Sequence, residues 1–285
     1  MAEISRVGVV GLGTMGSGIA QVCLQAGLEV VGREVELDLG ERALARIDHY
    51  LSRGVEKERL TQADKDAALG RLTLVTDVAE LGSCGLVIEA AFEDLEVKRE
   101  LFEQLDGIVA SDAILATNTS ALSVTQIAEA TRTPERVVGM HFFNPAPVLP
   151  LVEVIRTTYT SDEAFKTAYA FARRLGKEPV ACNDTPGFIV NRILIPLLND
   201  CVRVLDEARV APEDVDRAMR FGANWPIGPC ALIDLIGVDV HVHASEALHA
   251  ALGEERMAPP RRLLEMQEAG QLGRKTGHGF YEYEA

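Results

Sequence analysis

Basic residues are scarce in this chain: 28 lysines and arginines stand against 43 aspartates and glutamates, for a net charge of −15. A field of that sign repels a phosphate backbone, which excludes nucleic acid as a partner. It also means that any anionic ligand needs cations gathered locally. Cysteine is equally sparse: Cys23, Cys84, Cys182, Cys201 and Cys230 are odd in number, scattered, and contain no CxxC pair. That pattern excludes a disulfide framework and a zinc site, and it predicts reduced thiols in a cytoplasmic protein with no metal. Long apolar runs are missing too. The first one, Val7-Gly8-Val9-Val10-Gly11, is broken by glycine and too short for a secretory core or a membrane span, so no membrane partner is expected. Repeats and low-complexity segments are also absent. What is present is a 285-residue chain with 47% hydrophobic residues and a mean hydropathy of +0.08. It is globular and long enough for two domains.

The N-terminal order is informative. Ile4 to Val10 reads as a buried strand, followed by Gly11-Leu12-Gly13-Thr14-Met15-Gly16, a helical stretch from Ser17 to Ala26, and Gly27 as its stop. A second strand, Leu28 to Val31, runs out to Arg33-Glu34. Strand, glycine turn, helix, strand and terminal acid in that order form a dinucleotide-binding fingerprint. The first two glycines admit a pyrophosphate to the backbone, and the third lets helix and strand pack closely. The helix N-terminus turns its partial positive charge to the phosphates.

Asp38 to Lys57 is an amphipathic helix with Leu44, Ile47, Leu51 and Val55 in register, and Arg42, Arg46, Arg53, Lys57 and Arg59 concentrate cations there. Thr61 to Leu69 reads as a second helix, with Thr61 and Asp64 at the capping-box offset. The cations of this pair are either a solvated face or a phosphate site, and the acidity of the chain favours the second. Strands follow at Leu72 to Thr76, Leu86 to Glu89 and Ala113 to Ala116. The helix ending near Leu105 presents Glu96, Lys98 and Glu100 as mostly solvated surface. After the last of these strands comes Thr117-Asn118-Thr119-Ser120, at a strand end where an open parallel sheet binds ligands. Ser120 also stands where it could cap a helix from Val124 to Ala130.

Arg136 to Met140 is a strand ending at His141. Pro145, Pro147 and Pro150 forbid a helix after it, and the chain re-enters as Leu151 to Ile155, carrying Glu153. A histidine at one strand end and a glutamate on the next can pair, as a general base requires. Ser161 to Leu175 is a capped helix and Glu178 to Cys182 a late strand. Asn183-Asp184-Thr185-Pro186-Gly187 marks a boundary, giving domains 1–184 and 185–285. The second domain reads as helices only: Phe188 to Ala208, Pro212 to Phe221, Leu232 to Leu252 broken near Gly237, and Pro260 to Ala269.

The segments His141-Phe142-Phe143-Asn144-Pro145 and Leu151-Val152-Glu153-Val154-Ile155, with Gly187-Phe188-Ile189-Val190-Asn191-Arg192, Pro226-Ile227-Gly228-Pro229 and Gly273-Arg274-Lys275-Thr276-Gly277, resemble the L-3-hydroxyacyl-CoA dehydrogenase family over almost the whole chain. The resemblance implies an α/β Rossmann-type N-terminal domain with a helical insertion, then an all-α C-terminal domain. It implies NAD as cofactor, with contacts at Gly11, Gly13, Thr14, Met15, Gly16, Glu34, Ala90, Glu93, Lys98, Asn118, Ser120, Asn144 and Lys275. The catalytic set it implies is His141, Glu153, Ser120 and Asn191. Ser120, Asn191, Arg53 and Lys57 would bind an acyl-CoA substrate, the last two at its nucleotide phosphates. Glu34 stands where the family usually has Asp, Tyr50 replaces a serine of the CoA site, and Trp225 precedes the proline where relatives tend to carry His or Tyr.

The implied reaction is NAD-dependent exchange of a hydroxyl and a ketone at C3 of a short acyl-CoA, as in the bacterial members acting on 3-hydroxybutyryl-CoA. Two alternatives are the same chemistry on an acyl-carrier-protein thioester and a non-catalytic protein like the lambda-crystallins. Apolar positions on Phe188 to Leu205 exceed one buried stripe, which with the resemblance predicts a homodimer. Glu34 opposes a 2′-phosphate and Arg33 favours one; the expected outcome is a preference for NAD.

Overall fold

Eight strands form one sheet, and their order decides where a ligand can sit. They are β1 (Arg6–Val10), β2 (Glu29–Arg33), β3 (Leu72–Val75), β4 (Leu86–Glu89), β5 (Ile114–Thr117), β6 (Val137–Phe142), β7 (Leu151–Arg156) and β8 (Glu178–Asn183). The order across the sheet is β3-β2-β1-β4-β5-β6-β7-β8. Pairings from β3 to β6 are parallel, β6 and β7 are antiparallel, and β8 runs parallel to β7. The order reverses between β1 and β4, and the crevice at the carboxyl ends of those strands is the binding position in a doubly wound sheet. The computed structural model describes residues 4–283, and the chain divides into a unit ending at Thr185 and a unit beginning at Pro186.

Central strands are buried on both faces, as a parallel sheet covered by helices must be: all residues of β4, β5 and β6 are buried. Pro179, which cannot donate to a ladder, lies on the edge strand β8. The helices of this unit are α1 (Thr14–Gln25), α2 (Leu37–Glu56), α3 (Gln62–Leu69), α4 (Leu95–Ile108), α5 (Val124–Ala128) and α6 (Asp162–Arg174). On α2, Gly40, Ala43, Ile47 and Leu51 form one buried stripe at helical spacing. Ile47 and Leu51 are each 1% exposed, and burying side chains of this size contributes roughly 1.5–3 kcal/mol apiece. That leaves the arginine-bearing face outward. The capping box of α3 forms as the sequence predicts, with Thr61 Oγ1 accepting from the Asp64 N–H and Asp64 accepting from the Thr61 N–H.

Three expectations change. Ser120 does not cap α5; Ser123 does, accepting from the Gln126 N–H at 3.3 Å. Lys98 is not solvated: Glu96 and Glu100 are exposed, but Lys98 is 0% exposed and turned under the sheet end. The long helix of the second unit starts at Val190, not Phe188, because Gly187 and Phe188 both have positive φ (+74° and 49°).

That second unit contains α7 (Val190–Ala208), α8 (Pro212–Gly222), α9 (Pro229–Ile236), α10 (Val238–Leu252) and α11 (Arg261–Glu268). No strand is formed among its described residues, only isolated bridges at His278. Its core gathers Leu198, Val202, Ile233, Val238, Val242, Leu263 and Met266, and Trp225 packs against them. Trp225 is thus a packing residue of this unit. Asp234, fully buried, accepts from the Phe280 and Tyr281 N–H groups and the Tyr283 hydroxyl, pinning the segment after Gly273.

Candidate active site

The glycine turn joins β1 to α1. Gly11 has φ +80°, and a Cβ there would meet the Ala90 carbonyl oxygen at 2.8 Å; one at Gly16 would lie 1.7 Å from the Gly11 carbonyl oxygen. Both positions therefore exclude any side chain. Gly13 differs: a Cβ there would meet nothing within 4 Å. Gly13 is also the N-cap of α1 and offers no side-chain cap to the first N–H groups. The helix thus opens onto free space with its donors outward, flanked by Thr14 and Met15, as anion binding requires. At the end of β2, Glu34 folds onto this turn, its Oε1 accepting from the Leu12 N–H at 2.5 Å and Oε2 from the Val35 N–H at 3.2 Å. Arg33 is directed elsewhere, its Nε donating to the Thr76 carbonyl at 3.1 Å.

At the other end of the crevice, β6 and β7 place His141 directly opposite Glu153. The antiparallel return after the prolines makes this register possible. His141 Nδ1 lies 2.7 Å from Glu153 Oε2, and His141 Nε2 lies 3.0 Å from Ser120 Oγ. His141 is 4% and Glu153 1% exposed, whereas Ser120 is exposed. A carboxylate accepting from Nδ1–H leaves Nε2 as the basic nitrogen, on the side of the exposed hydroxyl. Phe143 packs on the imidazole at 4.4 Å between ring centroids. Asn118 Oδ1 accepts from the Phe142 N–H at 2.9 Å, tying the end of β5 to the strand carrying His141.

Between these two places lies a group the sequence did not reveal. Glu89, the last residue of β4, is fully buried. It accepts from Lys98 Nζ and the Ala91 N–H, each at 2.6 Å, and from Thr117 Oγ1 at 2.7 Å. Lys98 also lies 3.5 Å from Glu93 Oε2. Glu93 Oε1 accepts from Thr119 Oγ1 at 2.5 Å, the Ser120 N–H at 2.8 Å and the Ala121 N–H at 3.1 Å. Glu93 and Lys98 thus reach the site by holding the Ser120 turn and, through Glu89, the turn at Ala90. A buried acid at the end of an apolar strand is the signal that points to Glu89: its charge must be compensated there.

The helical insertion forms a cleft of about 440 Å³ whose lining includes Thr14, Gly18, Arg46, Tyr50, Arg53, Lys57, Arg59 and Asn144. Arg53, Lys57 and Arg59 are exposed. Lys65 of the same insertion pairs with Asp48 at 2.7 Å, but among the described residues no carboxylate lies within ion-pair distance of Arg53, Lys57 or Arg59. The facing wall, Asn144 to Val148, is held by Lys177, whose Nζ donates to the carbonyls of Ala146 and, at 2.9 Å, Leu149.

Asn191 and Lys275 belong to the helical unit. Asn191 is the second residue of α7. Lys275 pairs with Asp239, Nζ to Oδ2 2.6 Å.

Residues 6–185 match the family model described as 3-hydroxyacyl-CoA dehydrogenase, NAD binding domain, and residues 187–283 match its C-terminal domain. A 3-hydroxybutyryl-CoA dehydrogenase of Mycobacterium tuberculosis is 45% identical over 282 residues, covering 98% of this chain and 99% of that protein. The 3-hydroxyadipyl-CoA dehydrogenase of Escherichia coli is 42% identical over this whole chain, which spans 60% of that protein. The crystal structure of (S)-3-hydroxybutyryl-CoA dehydrogenase from Ralstonia eutropha superposes with a TM-score of 0.95 at 43% identity, covering 99% of this chain and 100% of that one.

Proposed function

This chain belongs to the 3-hydroxyacyl-CoA dehydrogenase family, and we propose that within it the protein interconverts short-chain 3-hydroxyacyl-CoA and 3-oxoacyl-CoA with NAD, as a 3-hydroxybutyryl-CoA dehydrogenase. The observation that carries the reading is the chain Ser120–His141–Glu153, at 3.0 and 2.7 Å, on the same sheet as the crevice at the ends of β1 and β4.

The residues around the glycine turn fit a dinucleotide. Open space at Gly13 and the uncapped first turn of α1 suit a pyrophosphate, and Glu34, fixed on the turn, suits the ribose hydroxyls. Arg33, moored to Thr76, leaves Glu34 in charge of that end, which supports NAD over NADP. When bound, the nicotinamide supplies the hydride chemistry at C3. His141 Nε2 takes the proton of the substrate hydroxyl in oxidation and returns it in reduction. Glu153 fixes the ring by its Nδ1–H and offsets the charge that forms there. Ser120 Oγ donates to the substrate oxygen, where a hydrogen bond gains strength as charge develops. The family resemblance further assigns Asn191 a bond to the substrate and Lys275 one to the cofactor. Ala90, Asn118 and Asn144 complete the proposed cofactor contacts.

The cleft over the insertion receives the nucleotide end of coenzyme A. Three exposed cations, with no carboxylate partner among the described residues, form an anion site in a chain of net charge −15. Tyr50, 53% exposed beside them, offers a ring face to the adenine. This cleft favours coenzyme A over a carrier-protein thioester, which lacks that nucleotide.

The proposed assembly is a homodimer: Ile193 on α7 is 61% exposed, Leu235 on α9 52% and Val240 on α10 52%, more apolar surface than the unit's own core uses. A monomer mass by light scattering at micromolar concentration would end that reading. Five free thiols, four of them buried, support a reducing, cytoplasmic setting, which cell fractionation reads out.

The decisive experiment is a steady-state assay with NADH against acetoacetyl-CoA, longer 3-oxoacyl-CoAs and carrier-protein thioesters. Acetoacetyl-CoA should be the best substrate. His141→Gln should lower turnover about a hundredfold or more while NADH binding is kept, given typical acid–base contributions. Turnover absent with every thioester would favour the non-catalytic, crystallin-like alternative.

A further inference from the structure

Arg46 stands between the two ligand positions of the sheet unit. It lines the cleft with Tyr50, Arg53 and Lys57. Its NH1 donates to Ser17 Oγ at 3.0 Å and to the Leu12 carbonyl at 3.4 Å. Ser17 is 2% exposed and donates in turn to the Gly13 carbonyl at 2.7 Å. Leu12 and Gly13 are the residues of the glycine turn, and the Leu12 N–H is held by Glu34. One guanidinium thus reaches the carbonyl side of the dinucleotide turn, directly at Leu12 and through Ser17 at Gly13. Among the described residues its Nε and NH2 make no hydrogen bond and no carboxylate pairs with it.

We propose that Arg46 couples the two ligands, so that coenzyme A in the cleft tightens dinucleotide binding at the glycine turn, and the reverse. The proposal rests on the reading of the cleft as the coenzyme A site. Pre-ordering of the side chain gives its sign. Both ligands are anions brought into a protein of net charge −15, so their direct interaction is repulsive and the ordering gain must exceed it. The guanidinium is a planar fork whose donors can serve two partners at once. A phosphate held on its cleft side orders the long side chain before the dinucleotide arrives, so the second ligand meets a turn that is already fixed. By linkage the effect is reciprocal.

The test measures NADH affinity by its fluorescence, with and without saturating coenzyme A, and coenzyme A affinity by calorimetry on the apo and NADH-bound protein. Wild type should bind NADH about fivefold or more tightly when coenzyme A is present, and the reciprocal factor should agree. Arg46→Met should abolish or invert the coupling and weaken both ligands. Arg46→Lys keeps the charge but not the two-sided fork, so coenzyme A affinity should stay within a few-fold while the coupling is lost. Ser17→Ala removes the anchor on the turn and leaves the cation on the cleft. It should lower NADH affinity and coupling more than it lowers coenzyme A binding to the apo protein. Independent binding in wild type, a measurement needing no variant, overturns the proposal. So does wild-type coupling in Arg46→Met. Arg53→Glu separates the two layers of the argument: if it weakens coenzyme A while wild type shows no coupling, only the coupling fails. If it leaves coenzyme A binding unchanged, the reading of the cleft fails and the coupling with it.

Discussion

Replacing Lys98 by methionine removes one cation and strands two carboxylates. Lys98 Nζ lies 2.6 Å from Glu89 and 3.5 Å from Glu93, with Lys98 and Glu89 at 0% side-chain exposure and Glu93 at 33%. At an effective dielectric near 20 the two attractions are roughly 6 and 5 kcal/mol. Most of that gross energy offsets the desolvation of the charges, so the intact cluster adds little net stability. Breaking it is another matter. Glu93 is partly exposed and keeps its donors on the Ser120 turn, but Glu89 stays buried with the Ala91 N–H and the Thr117 hydroxyl as its remaining donors. An uncompensated buried charge costs about 3–5 kcal/mol. The assay is urea unfolding followed by far-UV ellipticity, because the single tryptophan, Trp225, lies in the helical unit and reports on that unit. The double variant Glu89→Gln/Lys98→Met removes both buried charges and should be more stable than Lys98→Met alone, a non-additivity of about 1–3 kcal/mol. Glu93 Oε1 keeps its three donors on the Ser120 turn but Oε2 loses the cation beside it, so the turn is held less firmly and kcat of Lys98→Met should fall more than its KM for the thioester rises. A stability loss below about 1 kcal/mol, with additive single variants, would refute the claim that Lys98 compensates Glu89.

Gly13→Ala should fold as wild type, since its Cβ meets no protein atom within 4 Å, yet lose NADH affinity at least tenfold by fluorescence titration; unchanged affinity would move the pyrophosphate away from this turn. In the helical unit, burial holds the His241 imidazole down to about 4 from its usual 6.5. Its folded value is depressed, so the unfolded chain binds the extra proton first. The stability it contributes is present above about pH 6.5 and is lost as pH falls towards 4, about 3 kcal/mol in all. His241 Nε2 donates to Asn199 Oδ1 at 2.8 Å, a bond that His241→Gln can replace. That variant should flatten the fall of the urea midpoint, read by Trp225 fluorescence, between pH 6.5 and 4; an equally steep fall would mean that other groups drive it.

By itself the sequence determined the elements that depend on neighbours along the chain. The glycine spacing and terminal acid of β1–α1–β2, the capping box of α3, and the helical stripe of α2 are local patterns, and local sterics and hydrogen bonds enforce them. The pairing of His141 with Glu153 was legible for the same reason: prolines forbid a helix, and two apolar runs must then meet as strands. Tertiary structure decided what depends on groups far apart in sequence. Glu89 and Lys98 looked like a strand end and a surface lysine, because nothing local shows that both side chains lose water together. Ser123 took the cap expected of Ser120, leaving the Ser120 hydroxyl beside His141 Nε2. Arg46 read as one more cation on a charged helix until Ser17 and Leu12, 29 and 34 positions away, were packed against it. Periodicity encodes which face is buried, but the partners of a charged side chain are fixed only when the sheet closes the distance between them.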